Sequence, residues 1–186
     1  MSIQTETYFR NQFDNLVNNI LLWFFKYSKQ YSITKYNLDN NGILDAFIDE
    51  TGVDTGASTN ELYNAEGDYY SVDTPLSNNM TLISLTTTTT VVTIKGRIII
   101  FEEDVDSITI NTDLKAYISR DGGTTYTQLT LIDKGCYASG KRILISELIN
   151  ILSQPSGTSM KWKVTTHNNK DLKLYGISLN WEFLEE

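Results

Sequence analysis

Few side chains in this 186-residue chain could perform catalysis or bind a metal, because it contains one histidine, His167, and one cysteine, Cys136. A hydrolase with a serine or cysteine nucleophile would need His167 as its base, and one residue of each type is too few for a Cys/His zinc site. The acidic run Glu102–Asp106 could supply the carboxylate pair of a glycosidase. A charged run that directly follows an apolar strand is, however, typical of a solvated turn. We therefore expect no enzyme activity, no cofactor and no metal site.

The segment from Ser119 to Tyr126, with the sequence SRDGGTTY, is the sharpest local motif. Its glycines allow positive φ angles, and an aspartate in such a turn can accept hydrogen bonds from backbone amides. It resembles the Asp box, S-x-D-x-G-x-T-W, of sialidase-type β-propellers, with tyrosine in place of tryptophan. In that family the box is a structural element remote from catalysis, and one copy cannot build a propeller. The resemblance therefore implies a structural hairpin, whose key residues are Ser119, Asp121, Gly123, Thr125 and Tyr126.

Residues 80–186 are dominated by β-branched residues and by alternation of apolar and polar side chains, which is typical of half-buried strands. Alternation in the runs Met160–Thr166 and Leu172–Phe183 places Trp162 and Trp181 on the inward side. The parity of the second run switches at Tyr175-Gly176, which predicts a β-bulge. Arg142–Leu152 is ambiguous between strand and helical turns. About eight short strands separated by turn signals predict an antiparallel β-sandwich or jelly roll. The eight runs are Met80–Thr86, Thr89–Ile94, Arg97–Phe101, Ser107–Ile110, Leu114–Ser119, Thr125–Ile132, Met160–Thr166 and Leu172–Phe183.

An amphipathic helix is predicted over residues 7–30, which contain no glycine or proline. Its apolar residues recur at alternating spacings of four and three, and a second stripe runs one position further on. Because such a short helix is marginal in isolation, it must pack on something. It could pack on the sheet of its own domain, join a short bundle of identical subunits, or fill a groove of a different protein. The residues that would oligomerise or anchor the chain are Phe9, Phe13, Leu16, Ile20, Trp23 and Tyr27.

Charge divides the chain into three sections, 1–35, 36–79 and 80–186. The formal net charge is −8, and residues 36–94 contain nine acidic residues but no lysine or arginine. Residues 32–80 show little periodicity and are too long for an ordinary loop, so they form either an acidic extended arm ordered by contacts with neighbours or a partly disordered segment. Their aromatic residues favour an arm that lies on a surface. The acidic balance argues against nucleic-acid binding. The longest apolar run, Ile20–Phe25, is too short to cross a bilayer, and the N-terminus does not read as a signal peptide.

Two stretches of the sequence resemble phage virion proteins. The first is Asp45–Asp54, followed by Ala57–Asn60 and Tyr69-Tyr70, and it is similar to an Asp-Glu-x-Gly-Ile/Val-Asp segment of many such proteins. The second, within residues 113–183, resembles a β-rich module of phage tail, fibre and capsid-surface proteins. The matching parts are Leu114–Thr130, Gly140–Arg142, Gln154–Met160 and Leu172–Trp181.

The resemblance implies a structural virion protein, a fibre, decoration or adaptor, that is made in the host cytoplasm and contacts other virion proteins. Such modules often trimerise, so a homotrimer is expected. The alternative is a carbohydrate-binding module for a host or environmental glycan, which would need exposed aromatic platforms. Alternation turns the two tryptophans inward and leaves Tyr126 and Tyr137 as the candidate glycan contacts.

Overall fold

The computed structural model describes residues 41–73 and 79–183. The predicted helix over residues 7–30 and its six named apolar residues, from Phe9 to Tyr27, lie outside the described residues. Thirteen strands make up the regular structure of the described part. They are β1 Gly42–Asp45, β2 Glu61–Asn64, β3 Tyr69–Val72, β4 Thr81–Ile83, β5 Thr87–Thr88, β6 Thr93–Asp104, β7 Leu114–Ser119, β8 Thr127–Leu129, β9 Leu131–Ala138, β10 Lys141–Ser146, β11 Ile149–Asn150, β12 Ser159–Thr166 and β13 Leu172–Phe183.

The strands form two antiparallel sheets, which confirms the predicted β-sandwich class. The eight-stranded sheet has the order β2-β3-β13-β6-β10-β9, with β1 also paired to β13 and β11 to β6. The five-stranded sheet has the order β4-β12-β7-β8, with β5 also paired to β12. The apolar run Arg97–Phe101 lies in β6, between β13 and β10, as its lack of polar alternation indicates.

The main core lies between the two sheets. Trp162 and Val164 of β12 pack there with Ile98 and Ile100 of β6, and all four are fully buried. Trp181 is 7% exposed, so both tryptophans of the described part point inward as predicted. The pairing of β13 with β6 shifts between Leu174 and Gly176, which confirms the β-bulge.

Several local predictions are wrong. The little periodicity of residues 32–80 predicts no regular structure, yet β1, β2 and β3 all belong to the eight-stranded sheet. Each of these strands has four residues, which is too short to show a periodic pattern. Arg142–Leu152, which the sequence leaves ambiguous, contributes to β10 and β11. Ser107–Ile110 forms a single bridge, between Ile110 and Leu114, and no strand. Cys136 is an exposed residue of β9.

Candidate functional site

A row of aromatic and basic side chains lies on the face of the five-stranded sheet that points away from the core. Lys163 of β12 is directly opposite Tyr117 of β7. Its ammonium lies 4.6 Å from the centre of the Tyr117 ring and 4.0 Å from that of Tyr126. Burial lowers the pKa of Lys163 and raises the pKa of Tyr126 to about 12. A cation this close to two rings is attracted by both, which groups Tyr117, Tyr126 and Lys163 on this face of the sheet.

The turn that leads into Tyr126 is held by its own side chains. The Ser119 hydroxyl donates to Asp121 Oδ1 at 2.7 Å and accepts from the Gly123 amide at 2.8 Å. Asp121 Oδ1 also accepts from the Thr125 amide at 2.9 Å. The hydrogen bonds from Ser119 and Thr125 favour the charged carboxylate, so the pKa of Asp121 is lowered although its burial acts in the opposite direction. Gly122 and Gly123 have φ angles of +76° and +92°.

Arg120 ties this turn to the loop that precedes β12, and the sequence did not single it out. The side chain is 3% exposed and donates to the carbonyl oxygens of Thr93, Leu152, Gln154 and Pro155 at 2.6 to 3.4 Å. The Gln154 side chain accepts from the Arg120 amide and donates to the Ile118 carbonyl. An arginine inside a polar turn motif is expected to be exposed. No local sequence pattern therefore predicts that its guanidinium donates hydrogen bonds to four carbonyl oxygens.

A second polar cluster corrects the expected solvated turn at Glu102–Asp106. Glu102 is fully buried in β6, and its Oε2 accepts from Arg142 Nε at 2.6 Å. The same guanidinium contacts Asp104 at 2.7 Å and Asp133 at 3.5 Å. Burial and a hydrogen bond with Asp104 raise the pKa of Glu102, whereas Arg142 lowers it. The net result is a pKa of about 8. Arg142 therefore links the buried Glu102 to two solvent-accessible carboxylates, Asp104 at the end of β6 and Asp133 of β9.

Tyr137 lies on the opposite side of the sandwich from Tyr126. It belongs to β9 of the eight-stranded sheet and packs edge-on against Phe101 at 5.1 Å. Burial raises its pKa. The two tyrosines that the sequence proposed as glycan contacts therefore occupy different faces, and only Tyr126 shares its face with further aromatic and basic side chains.

A cleft of about 420 Å³ opens between β1 and the β4–β5 segment. Asp45 and Asp49 contribute the charged groups of its lining, Ile48 and Leu85 contribute exposed apolar surface, and Trp162 lines it from the core. Hydrogen bonds from Thr51 lower the pKa of Asp49. The Asp45 carboxylate, which accepts from the Phe47 amide at 3.0 Å, lies against Gly52, so a larger residue at position 52 would require this carboxylate to move.

The remaining chemistry-bearing residues stand apart from one another. His167 hydrogen-bonds to Thr165 in the turn between β12 and β13, and burial lowers its pKa. Within residues 41–73 and 79–183, no group of three or more histidine, cysteine or acidic residues could hold a metal ion.

Comparisons with known proteins give no family. No family model matches the chain, and no curated protein matches it. Over the part of the chain that the structure describes, no helix is both long enough and apolar enough to span a membrane.

Proposed function

We propose that this chain is a structural component of a bacteriophage virion, a fibre, decoration or adaptor protein that acts through assembly and surface display. The observation that carries the proposal is that the two stretches resembling virion proteins belong to one folded unit. In the first stretch, Asp45 is opposite Ile177 of β13, and Val53 bridges Ser84. Asp54 forms a 2.8 Å ion pair with Lys161, the residue that directly follows the matching part Gln154–Met160. Two resemblances that fold together support one module better than two unrelated chance matches.

Assembly is assigned to the N-terminal residues. The apolar stripe Phe9, Phe13, Leu16, Ile20, Trp23 and Tyr27 would oligomerise or anchor the chain, and we expect a homotrimer in contact with other virion proteins. The sandwich would then face outward. No nucleic acid, membrane, cofactor or catalytic residue has a part in this mechanism.

Light scattering after size exclusion tests the assembly route. The full chain should be a trimer, and the double substitution Leu16→Asp with Ile20→Asp should reduce it to a monomer, because two buried apolar contacts become charged. Asn18→Asp with Asn19→Asp adds the same charge to the polar side and should leave the trimer intact. A monomeric full chain, or a trimer that survives the first pair of substitutions, would show that the stripe does not assemble the protein.

The particle role needs a separate test. Virions purified from the phage that encodes this chain should contain it in a fixed copy number, measured by quantitative mass spectrometry. If purified particles lack the chain while infected cells contain it, the protein is not a virion component.

A second candidate function, glycan binding, is favoured by the row formed by Tyr117, Lys163 and Tyr126 on the five-stranded sheet. Aromatic rings with a neighbouring hydrogen-bond donor are suited to stacking against a sugar. On a glycan array, saturable binding by the full chain should be lost in Tyr126→Ala. Tyr69→Ala, on the other sheet, serves as the control. Absence of saturable binding to any glycan would remove this candidate and leave the virion proposal unaffected.

A further inference from the structure

The eight-stranded sheet carries a second apolar cluster on the face that points away from the five-stranded sheet. Along β6, Ile98 and Ile100 belong to the main core, so the alternating residues Ile99 and Phe101 point the other way. They cluster with Ile143 and Ile145 of β10 and with Tyr175 of β13, and Leu44, Tyr69 and Tyr137 pack at the margin. We name these eight residues the outer-face cluster.

The outer-face cluster is buried although its described members all belong to strands of one sheet. Ile99 and Phe101 are 0% exposed, and Ile143, Ile145 and Tyr175 are 5 to 6% exposed. Side chains on a sheet stand perpendicular to it, so their tips stay accessible unless a further layer packs about 10 Å above.

Ser178 gives an independent indication of such a layer. It lies opposite Ile99 in the register and on the same face, because its neighbours Ile177 and Leu179 belong to the main core. It too is fully buried, and its hydroxyl has no hydrogen-bond partner within the described residues. A buried hydroxyl of this kind needs a partner from the group that covers it.

The length and position of the chain outside the described residues indicate what that layer is. Residues 74–78 and 184–186 are too short to cover eight side chains, whereas residues 1–40 contain the amphipathic segment 7–30. This part of the chain joins the described residues at Asn41, whose carbonyl accepts from the Trp181 amide of β13 at 3.1 Å. A helix over 7–30 would be about 36 Å long, close to the roughly 40 Å length of the twelve-residue β6. The ten residues that follow can span about 33 Å.

We propose that segment 7–30 docks on the outer-face cluster of its own subunit. This contact within one copy goes beyond the proposed function, because it holds for the isolated protein whatever particle it joins. Assembly through the same segment is the competing arrangement, in which the segment of one copy covers the outer face of the next.

The exposed thiol of Cys136 allows a direct test without any added cysteine. Cys136 adjoins Tyr137 of the outer-face cluster in β9, at the end of the strand order of the eight-stranded sheet, and a nitroxide broadens NMR signals over distances larger than the thickness of one sheet. A nitroxide spin label on Cys136 should broaden the NMR signals of Ile20 and Trp23 in ¹⁵N-labelled chains. Dilution with unlabelled chains confines the effect to a single copy, and the reduced label gives the reference intensities. We expect a loss of most of the intensity. Unchanged signals would overturn the docking.

A mixed sample separates docking within one copy from docking between copies. Spin-labelled ¹⁴N chains are combined with unlabelled ¹⁵N chains, and broadening that occurs only in this sample would overturn docking within the subunit. Leu16→Asp with Ile20→Asp should restore the NMR signal intensity of segment 7–30, read at Trp23. Asn18→Asp with Asn19→Asp should leave the broadening unchanged. Persistent broadening in the first variant would contradict docking through the apolar stripe.

Light scattering on the same samples distinguishes this inference from the proposed function. A monomer with broadening within one copy supports the docking and refutes the trimer. A trimer with broadening only between copies supports assembly through segment 7–30 and refutes docking within the subunit.

Discussion

The buried carboxyl of Glu102 predicts that the stability of the protein falls as the pH rises toward 8. Its pKa is raised from 4.5 to about 8 in the folded chain, mainly by burial. A carboxyl whose folded pKa lies above its unfolded value stabilises the fold fully below the unfolded pKa. That contribution is then lost as the pH rises through the folded pKa. Each pH unit in the interval corresponds to about 1.4 kcal/mol, so the loss between pH 5 and pH 8.5 is about 4 kcal/mol.

Urea unfolding of the wild type and of Glu102→Gln, followed by tryptophan fluorescence, measures this loss. The amide cannot ionise, so the difference in free energy of unfolding between the two proteins should change by about 4 kcal/mol across this interval. Taking the difference removes the contribution of His167, whose pKa is lowered by burial and which therefore acts with the opposite sign. Glu147→Gln, at an exposed position, is the matched control and should show no such change. A constant difference between the wild type and Glu102→Gln from pH 5 to pH 8.5 would refute the reasoning.

Three further predictions concern stability, each measured as a change in the free energy of unfolding. Arg142→Ala should cost about 3 kcal/mol at pH 8.5, because it leaves a buried carboxylate without its cation, whereas Lys95→Ala, from a half-exposed pair, should cost less than about 1 kcal/mol. Gly123→Ala should cost about 1 to 2 kcal/mol from its φ of +92° and more from contact with a tyrosine hydroxyl. Gly135→Ala is the control, because Gly135 has a φ of +90° but open space around it. If both substitutions lower the free energy of unfolding equally, the contact with the tyrosine hydroxyl makes no contribution. Arg120→Ala should cost about 3 kcal/mol or more, since it removes the donor from buried carbonyls, and a loss below about 1 kcal/mol would mean that water replaces the guanidinium.

Period-two alternation carried most of the fold prediction. It predicts that Trp162 and Trp181 point inward and that a bulge lies beside Gly176. In a strand with one buried face, apolar and polar residues alternate, so a change in the alternation marks an irregularity. The central position of β6 followed from its continuous apolar run. These features depend on local sequence, so one chain is enough to predict them.

Long-range pairing could not be predicted in the same way. Asp45 lies beside Ile177, and Glu102 beside Arg142, only because the strands that carry them are neighbours in the sheet. The burial of Glu102 contradicts its appearance as part of an exposed acidic run, since the residue that compensates it is 40 positions away. Strand order is set by the energetics of the whole sandwich, and no local pattern encodes it.

The uneven distribution of charge along the chain has a physical explanation in the sandwich. Residues 36–94 contain no lysine or arginine, so any cation that compensates their carboxylates must come from another part of the chain or from a partner. Lys161 fills this role for Asp54, at 2.8 Å, and the ion pair lowers the pKa of Asp54. With β1 paired to β13 and Thr59 bridged to Thr81 of β4, the described part of the acidic section attaches to both sheets of its own sandwich. The described part of the acidic section is therefore part of the folded module and is not a free arm.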